Sequence, residues 1–199
     1  MINDTLLIFA RNPVYGKVKT RLAATIGNDK ALLIYQKLVE HTAAVTKNID
    51  AARMVYYSDF IADGDDWNDA YLKVVQRGKD LGERMCNAFN DTLKSGEKKV
   101  VIIGTDCYEL TSEIISSAFT GLSNYDIVIG PALHGGYYLL GMNTQHPHLF
   151  DNIKWGTDMV LKGTLARCAA LGLSYFLLPA LSDIDEEKDL RNTDIVNQL

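Results

Sequence analysis

The chain predicts an α/β fold, a mostly parallel sheet flanked by helices, and three observations predict it. Strand-like and helix-like patterns alternate from end to end, the order that builds parallel sheets covered on both faces. Val100 to Ile103 is an unbroken run of branched apolar residues, as a strand buried on both faces requires. The 199 residues, 47% hydrophobic and 23% charged, suffice for one sizeable core and not for two comfortable ones. Residues 1–199 are therefore read as one domain, with no repeat, linker or low-complexity stretch.

The elements follow in order. Thr5 to Ala10 opens the chain as a strand. Residues 29 to 46 carry Ala31, Ile34, Tyr35, Leu38 and Val45 at helical spacing. Met54 to Tyr57 and Leu72 to Val75 read as strands, and the polar stretch Asp63 to Asp69 between them as a surface excursion. Residues 82 to 94 place Met85, Ala88, Phe89 and Leu93 on one helix face. Thr111 can cap the next helix, with Glu113 in its first turn, where a negative charge suits the dipole. Asp126 to Ile129 and Tyr137 to Met142 read as strands. Thr157 can cap a helix carrying Val160, Leu161, Leu165 and Cys168. Ser174 to Leu178 is a late strand, and residues 186 to 197 a last helix.

Bulk properties exclude several classes. A net charge of −5 argues against non-specific nucleic-acid or anionic-membrane binding, both of which need basic patches. Cys86, Cys107 and Cys168 are too few and too widely spaced for a disulfide framework or a CxxC metal site. Cys168 falls on an apolar helix side and reads as a buried thiol. No apolar run approaches a membrane span, and no basic-then-apolar leader opens the sequence. Cytoplasm is the expected compartment.

In open α/β sheets ligands bind at the carboxyl ends of strands, so the segments after strands are where chemistry is expected. The first strand is followed by Arg11 to Arg21, which holds Arg11, Gly16, Lys17, Lys19 and Arg21 within 11 positions. Such a loop can meet phosphate with backbone N–H groups and with cations. The segment is not a Walker A loop, because the first Gly and the Mg²⁺-binding hydroxyl are missing, and no G-x-G-x-x-G follows a strand.

Asp106 follows the buried strand. It would either meet a hard cation, as a carboxylate beside substrate phosphates does, or cap the next helix. Asp183 and Asp185, two apart, would share one side of a strand and converge on the same metal, or cap the last helix. Asp80-Leu-Gly82-Glu-Arg84 opens a helix whose N–H groups could face an anion. Gly135 and Gly136 allow close backbone approach to a ligand.

Together, FARNPVYGKVKTRLA, DLGERM, GTDCYEL, GPALHGGYYLLG, WGT and LSDIDEEKDL appear in an order that resembles a known family over nearly the whole chain. It is the family of GT-A-like, glycosyltransferase-like proteins described as radical-SAM/selenodomain-associated transferases. The basic loop is also similar to that of phospholactate guanylyltransferases and, more remotely, of molybdenum-cofactor nucleotidyltransferases. The resemblance implies a single-domain GT-A-like (nucleotide-diphospho-sugar transferase) fold. It implies a phosphate site at Arg11, Gly16, Lys17, Lys19 and Arg21, with Gly82 and Arg84 nearby. It places a Mg²⁺ or Mn²⁺ ligand at Asp106 and a second acid near Asp183 and Asp185. The substrate side falls at Gly135, Gly136, Tyr137 and Trp155.

Three positions depart from the pattern: Tyr108 replaces a Pro, Gly156 a Ser or Thr, and His134 an Asp. The last leaves an imidazole as the candidate base. The expected function is metal-dependent transfer from a nucleotide or nucleotide-sugar to a small acceptor, without nucleic-acid or membrane partners. The alternatives are nucleotidyl transfer and a non-catalytic nucleotide-binding homologue.

Overall fold

The computed structural model describes residues 4–195 except 63, 68 and 97, without the side chain of 192. Seven strands form one sheet: β1 (Asp4–Ala10), β2 (Ala52–Tyr57), β3 (Leu72–Val75), β4 (Lys99–Gly104), β5 (Ile127–Pro131), β6 (Tyr137–Met142) and β7 (Tyr175–Leu177). Their order is β3-β2-β1-β4-β6-β5-β7. Among the described strands only β6 runs antiparallel, against β4 on one side and β5 on the other. The α/β reading stands.

The helices are α1 (Thr20–Ile26), α2 (Asn28–Thr46), α3 (Leu81–Lys94), α4 (Ser112–Gly121) and α5 (Val160–Leu171). The two-residue period of the strands sorts their side chains between two apolar layers. Leu6, Ile8, Val101 and Ile103 join Tyr35 and Val39 of α2 and Ile115, Ala118 and Phe119 of α4. Leu7, Val100 and Ile102 join Met85, Ala88 and Phe89 of α3 and Cys168 of α5. Burial on both faces is what the unbroken apolar runs of β1 and β4 record.

A third, smaller cluster ties the site together. Leu22 of α1 packs with Ala31, Ile34 and Leu38 of α2 and with Ile184 and Ile195 of the C-terminal segment. The segment after β1 and the segment after β7, more than 160 positions apart, are thereby held side by side.

Several expectations are corrected. Residues 20 and 21, read as the end of the basic loop, open α1, and residues 22–26, to which no element was assigned, continue it. Thr157 does not cap α5: its hydroxyl donates to the Lys154 carbonyl and accepts from the Met159 N–H, in the turn before the helix. The last helix is a short 3₁₀ segment, Glu187–Asn192, and positions 196–197 lie outside the described residues. The 65–67 stretch is not a free surface excursion. Trp67 is buried against Tyr71, and Asp65 accepts from the Tyr57 hydroxyl and pairs with Lys73 at 2.7 Å. No described helix is long and apolar enough to cross a membrane.

Candidate functional site

The carboxyl ends of β1, β2 and β4, with the start of β6, open onto a cleft in two lobes. One lobe, about 830 Å³, is lined by Arg11, Asn12, Lys17, Gln76, Lys79 and Arg84 among others. The other, about 610 Å³, is lined by Lys19, Arg21, His134, Gly136, Trp155 and Asp185 among others. Arg11, Leu81, Asp106, Tyr137 and Asp183 face both lobes, so the two are halves of one site.

The first lobe is cationic and braced by two amides, Asn12 and the half-buried Gln76. Asn12, almost fully buried, donates its amide N–H to the Phe60 carbonyl and accepts from the backbone of Asp59 and Phe60, fixing the loop after β2 onto the loop after β1. Gln76 donates to the Tyr56 carbonyl and accepts from Arg84, whose Nε donates to the Gly78 carbonyl. The Gly78 backbone presses so closely on α3 that a Cβ there would stand 2.7 Å from the Arg84 nitrogen, and its φ of +146° is one that L side chains rarely adopt. Arg84 is thus aimed by a tight turn. Among the described residues no carboxylate pairs with Arg11, Lys17, Lys79 or Arg84, whereas the helix α3 N-terminus, capped by Asp80, adds its positive end.

The junction of the lobes is acidic, with a lysine inside it. Lys19 Nζ lies 2.6 Å from Asp106 Oδ1 and 3.6 Å from Asp185 Oδ1, and donates to the Ile184 carbonyl at 2.6 Å. Its side chain is only 4% exposed. Ile184 N–H donates to the Asp106 carbonyl, which pins the acid-bearing C-terminal segment beside the end of β4. Arg21 reaches the other oxygen of Asp185 at 3.4 Å.

Asp183 stands in the same cluster. Its burial, with Asp106 and Asp185 nearby, pushes its carboxyl up to about 7 against the pull of Lys19 and His134. Asp183 and Asp185 lie together at this junction, although residues 182–185 are not a strand. Asp106 does not cap α4, because Thr111 does so by accepting from the Ile114 N–H.

The second lobe carries His134, on the turn between β5 and β6. Its Nε2 faces Asp189 Oδ1 at 3.5 Å. Asp189 is 5% exposed at its side chain, and its other oxygen accepts from the N–H groups of Asp185 and Glu186. Sequence reasoning passed over Asp189, whose visible signal was a capping position. Lys79, Asn12 and Gln76 were missed too, the amides because nothing local marks a scaffold contact 20 to 48 positions away.

The sequence-predicted residues divide. Arg11, Lys17, Arg84, Asp106, Asp183, Asp185, Lys19, Arg21, His134, Gly136, Tyr137 and Trp155 line the cleft. Gly16, Gly82 and Gly135 are not among its lining residues. Gly16 turns the exposed loop with φ +71°. Gly82 is buried beneath Trp155, where a Cβ would meet the indole at 2.3 Å. Gly135, at φ +86°, lets its turn approach Asp158, whose carbonyl a Cβ would strike at 2.1 Å. Lys19 and Arg21, expected to clamp phosphate, are both engaged by acids.

Among the described residues no three of His, Cys, Asp and Glu already stand as a metal cage. The donors at the junction, carboxylate and carbonyl oxygens, are nonetheless those a hard divalent cation takes. The Lys19 ammonium seated among them shows that the nest accepts positive charge.

Comparison with known proteins follows this geometry. A crystal structure from Desulfovibrio desulfuricans G20, described as a candidate nucleotide-diphospho-sugar transferase, superposes with a TM-score of 0.89 at 29% identity, covering 100% of this chain and 95% of that one. Two more distant structures share the fold. A CMP:2-keto-3-deoxy-manno-octonic acid synthetase complexed with CTP has a TM-score of 0.59 at 8% identity, covering 98% and 99% of the two chains. An inositol-1-phosphate CTP transferase from T. maritima has 0.53 at 14%, covering 98% and 94%. No curated protein matches in sequence. The fold is that of nucleotide-diphospho-sugar transferases. The family model of an uncharacterized protein conserved in bacteria, DUF2064, matches residues 40–157, more than half of the chain, and the chain belongs to that family.

Proposed function

We propose that this transferase binds a nucleotide-activated donor with its phosphates on the cationic lobe and passes the activated group to a small acceptor beside His134. The observation that carries the reading is the division of the cleft. Among the described residues Arg11, Lys17, Lys79 and Arg84 have no acid partner at one end, His134 and Asp189 face each other at the other, and three carboxylates lie between.

Each unpaired cation can donate charge-assisted hydrogen bonds to phosphate oxygens, and the α3 N-terminus favours the same charge. With Asp189 facing Nε2 at 3.5 Å, the other ring nitrogen of His134 would take a proton from an acceptor hydroxyl. Mg²⁺ or Mn²⁺ held by Asp106 and Asp185 would supply stabilisation of charge on the departing phosphate.

The charge count supports a second reading, nucleotidyl transfer from a nucleoside triphosphate. Four cations exceed what a diphosphate needs, and the CTP-dependent neighbours share the fold. The products separate the two. Incubation with the nucleotides and nucleotide-sugars that raise the melting temperature, with and without Mn²⁺, should release nucleoside mono- or diphosphate if a sugar is transferred, and pyrophosphate if a nucleotidyl group is. No product from any stabilising nucleotide, under any metal, would contradict both and leave nucleotide binding alone.

A further inference from the structure

We infer that Lys19 is the resident cation of the acidic junction, and that a divalent metal binds to Asp106 and Asp185 only by displacing its ammonium. The inference rests on the proposed metal-assisted reading, and four observations carry it.

The Lys19 ammonium is seated as a bound cation would be. Asp106 Oδ1 and the Ile184 carbonyl are each 2.6 Å away and Asp185 Oδ1 3.6 Å. All are oxygens, and the side chain is almost sealed from solvent. This is the donor chemistry of a hard metal ion, met here by an amine with three donor hydrogens.

The backbone is committed to this placement. Lys19 precedes α1 in the left-handed region, at φ 48° and ψ 43°, with no side-chain cap on the helix. A non-glycine residue adopts that conformation uncommonly. Here the surroundings hold it: Leu22, one turn on, is fully buried, and the ammonium is anchored at the other end of its chain.

Both oxygens of Asp185 are engaged as well: Oδ1 faces Lys19 at 3.6 Å and Oδ2 faces Arg21 at 3.4 Å, while Ile184 N–H ties the segment to the Asp106 backbone. Finally, no set of three acids among the described residues already forms an open cage. A metal bridging Asp106 and Asp185 therefore meets an oxygen site occupied by a like charge, and the repulsion between two cations at Asp106 Oδ1 favours exchange over joint occupancy. Released from the acids, Lys19 would lie in the lobe junction where donor phosphates are proposed to pass, so that metal entry and lysine delivery are one exchange.

The test uses Mn²⁺ alone and the free protein, with bound Mn²⁺ read by electron paramagnetic resonance. Lys19→Met removes the charge and keeps the length, and should bind Mn²⁺ about tenfold more tightly than the native chain, because the competing cation is gone. Lys19→Arg, which retains the charge, should stay close to native. If Lys19 were a phosphate clamp independent of the metal, Lys19→Met would leave Mn²⁺ affinity unchanged. An unchanged or weakened affinity in a folded variant overturns the inference.

If Lys19→Met does not fold, the native protein decides. The Lys19 ¹⁵Nζ ammonium resonance, assigned by its loss in Lys19→Arg, should shift towards that of a free lysine as Mg²⁺ is added. Mg²⁺ binding with that resonance unmoved overturns the inference equally. Neither measurement contains a nucleotide, so failure of the donor reading would show separately, in nucleotide titrations.

Discussion

At the scale of residues, pairing decides which of the cleft's cations can meet a ligand. Lys19 and Arg21 stand in the most basic-looking part of the sequence, yet acids hold both, while Arg11, Lys17 and Arg84 have none among the described residues. Arg84→Ala or Lys17→Ala should therefore weaken binding of a nucleoside diphosphate by about ten- to a hundredfold, the worth of a charge-assisted contact, and leave the nucleoside nearly unaffected. Arg21→Ala should cost much less. Calorimetric titrations of the three variants check this ordering, and equal losses for nucleoside and diphosphate would assign the residues to the fold instead.

Asp183 gives a stability signature. Its carboxyl is raised from 3.8 to about 7 by burial and by Asp106 and Asp185. The folded chain keeps that proton to near neutrality, while the unfolded chain releases it at ordinary carboxylate pH. Ionised Asp183 is therefore unfavourable in the fold, and its share of stability declines as pH rises from about 4 to about 7. Asp183→Asn should remove the decline and exceed the native protein at pH 8 by up to about 4 kcal/mol, with little difference below pH 4. Denaturant titrations at three pH values read it, and parallel native and variant curves would deny the shift.

Asp189 acts through His134. Asp189→Asn should lower turnover more than it raises KM, since it removes the charge facing the ring and not a substrate contact. A fall confined to stability, with kcat intact, would make the pair structural.

At the scale of elements, legibility follows locality. The strands and the long helices announce themselves by periodicity, and Thr111 caps α4 as its sequence predicts. Thr111→Ala should cost about 1 kcal/mol by denaturant unfolding, the usual worth of such a cap. α1 escaped because seven residues, entered through a left-handed lysine and ended by Gly27, give too short a periodic run. The final segment looked helical from its composition, but Asp189 holds its start in a tight capping box and only a 3₁₀ turn forms. Gly82 looked like an anion-binding glycine, and its neighbour in space is the Trp155 indole, a contact no local pattern can show. Gly82→Ala should disturb Trp155 fluorescence.

At the scale of the whole molecule, the cleft exists because β1 and β4 lie side by side and bring the segments after them to one sheet end, and because the small cluster around Leu22 and Ile184 fastens the C-terminal segment beside them. The sequence order of the motifs made the fold readable. It brought most of the candidate residues to the cleft lining, but not their pairing, since which cation meets which acid is set by contacts across 87 to 166 positions. The measurement that bears most directly on the central claim is a calorimetric titration of the nucleotide that most stabilises the protein, with and without Mn²⁺, on the native chain and on Asp106→Asn. The account predicts tight binding that Mn²⁺ strengthens in the native protein and does not strengthen in the variant. Equal Mn²⁺ dependence in both, or no nucleotide binding by the native chain, would contradict it.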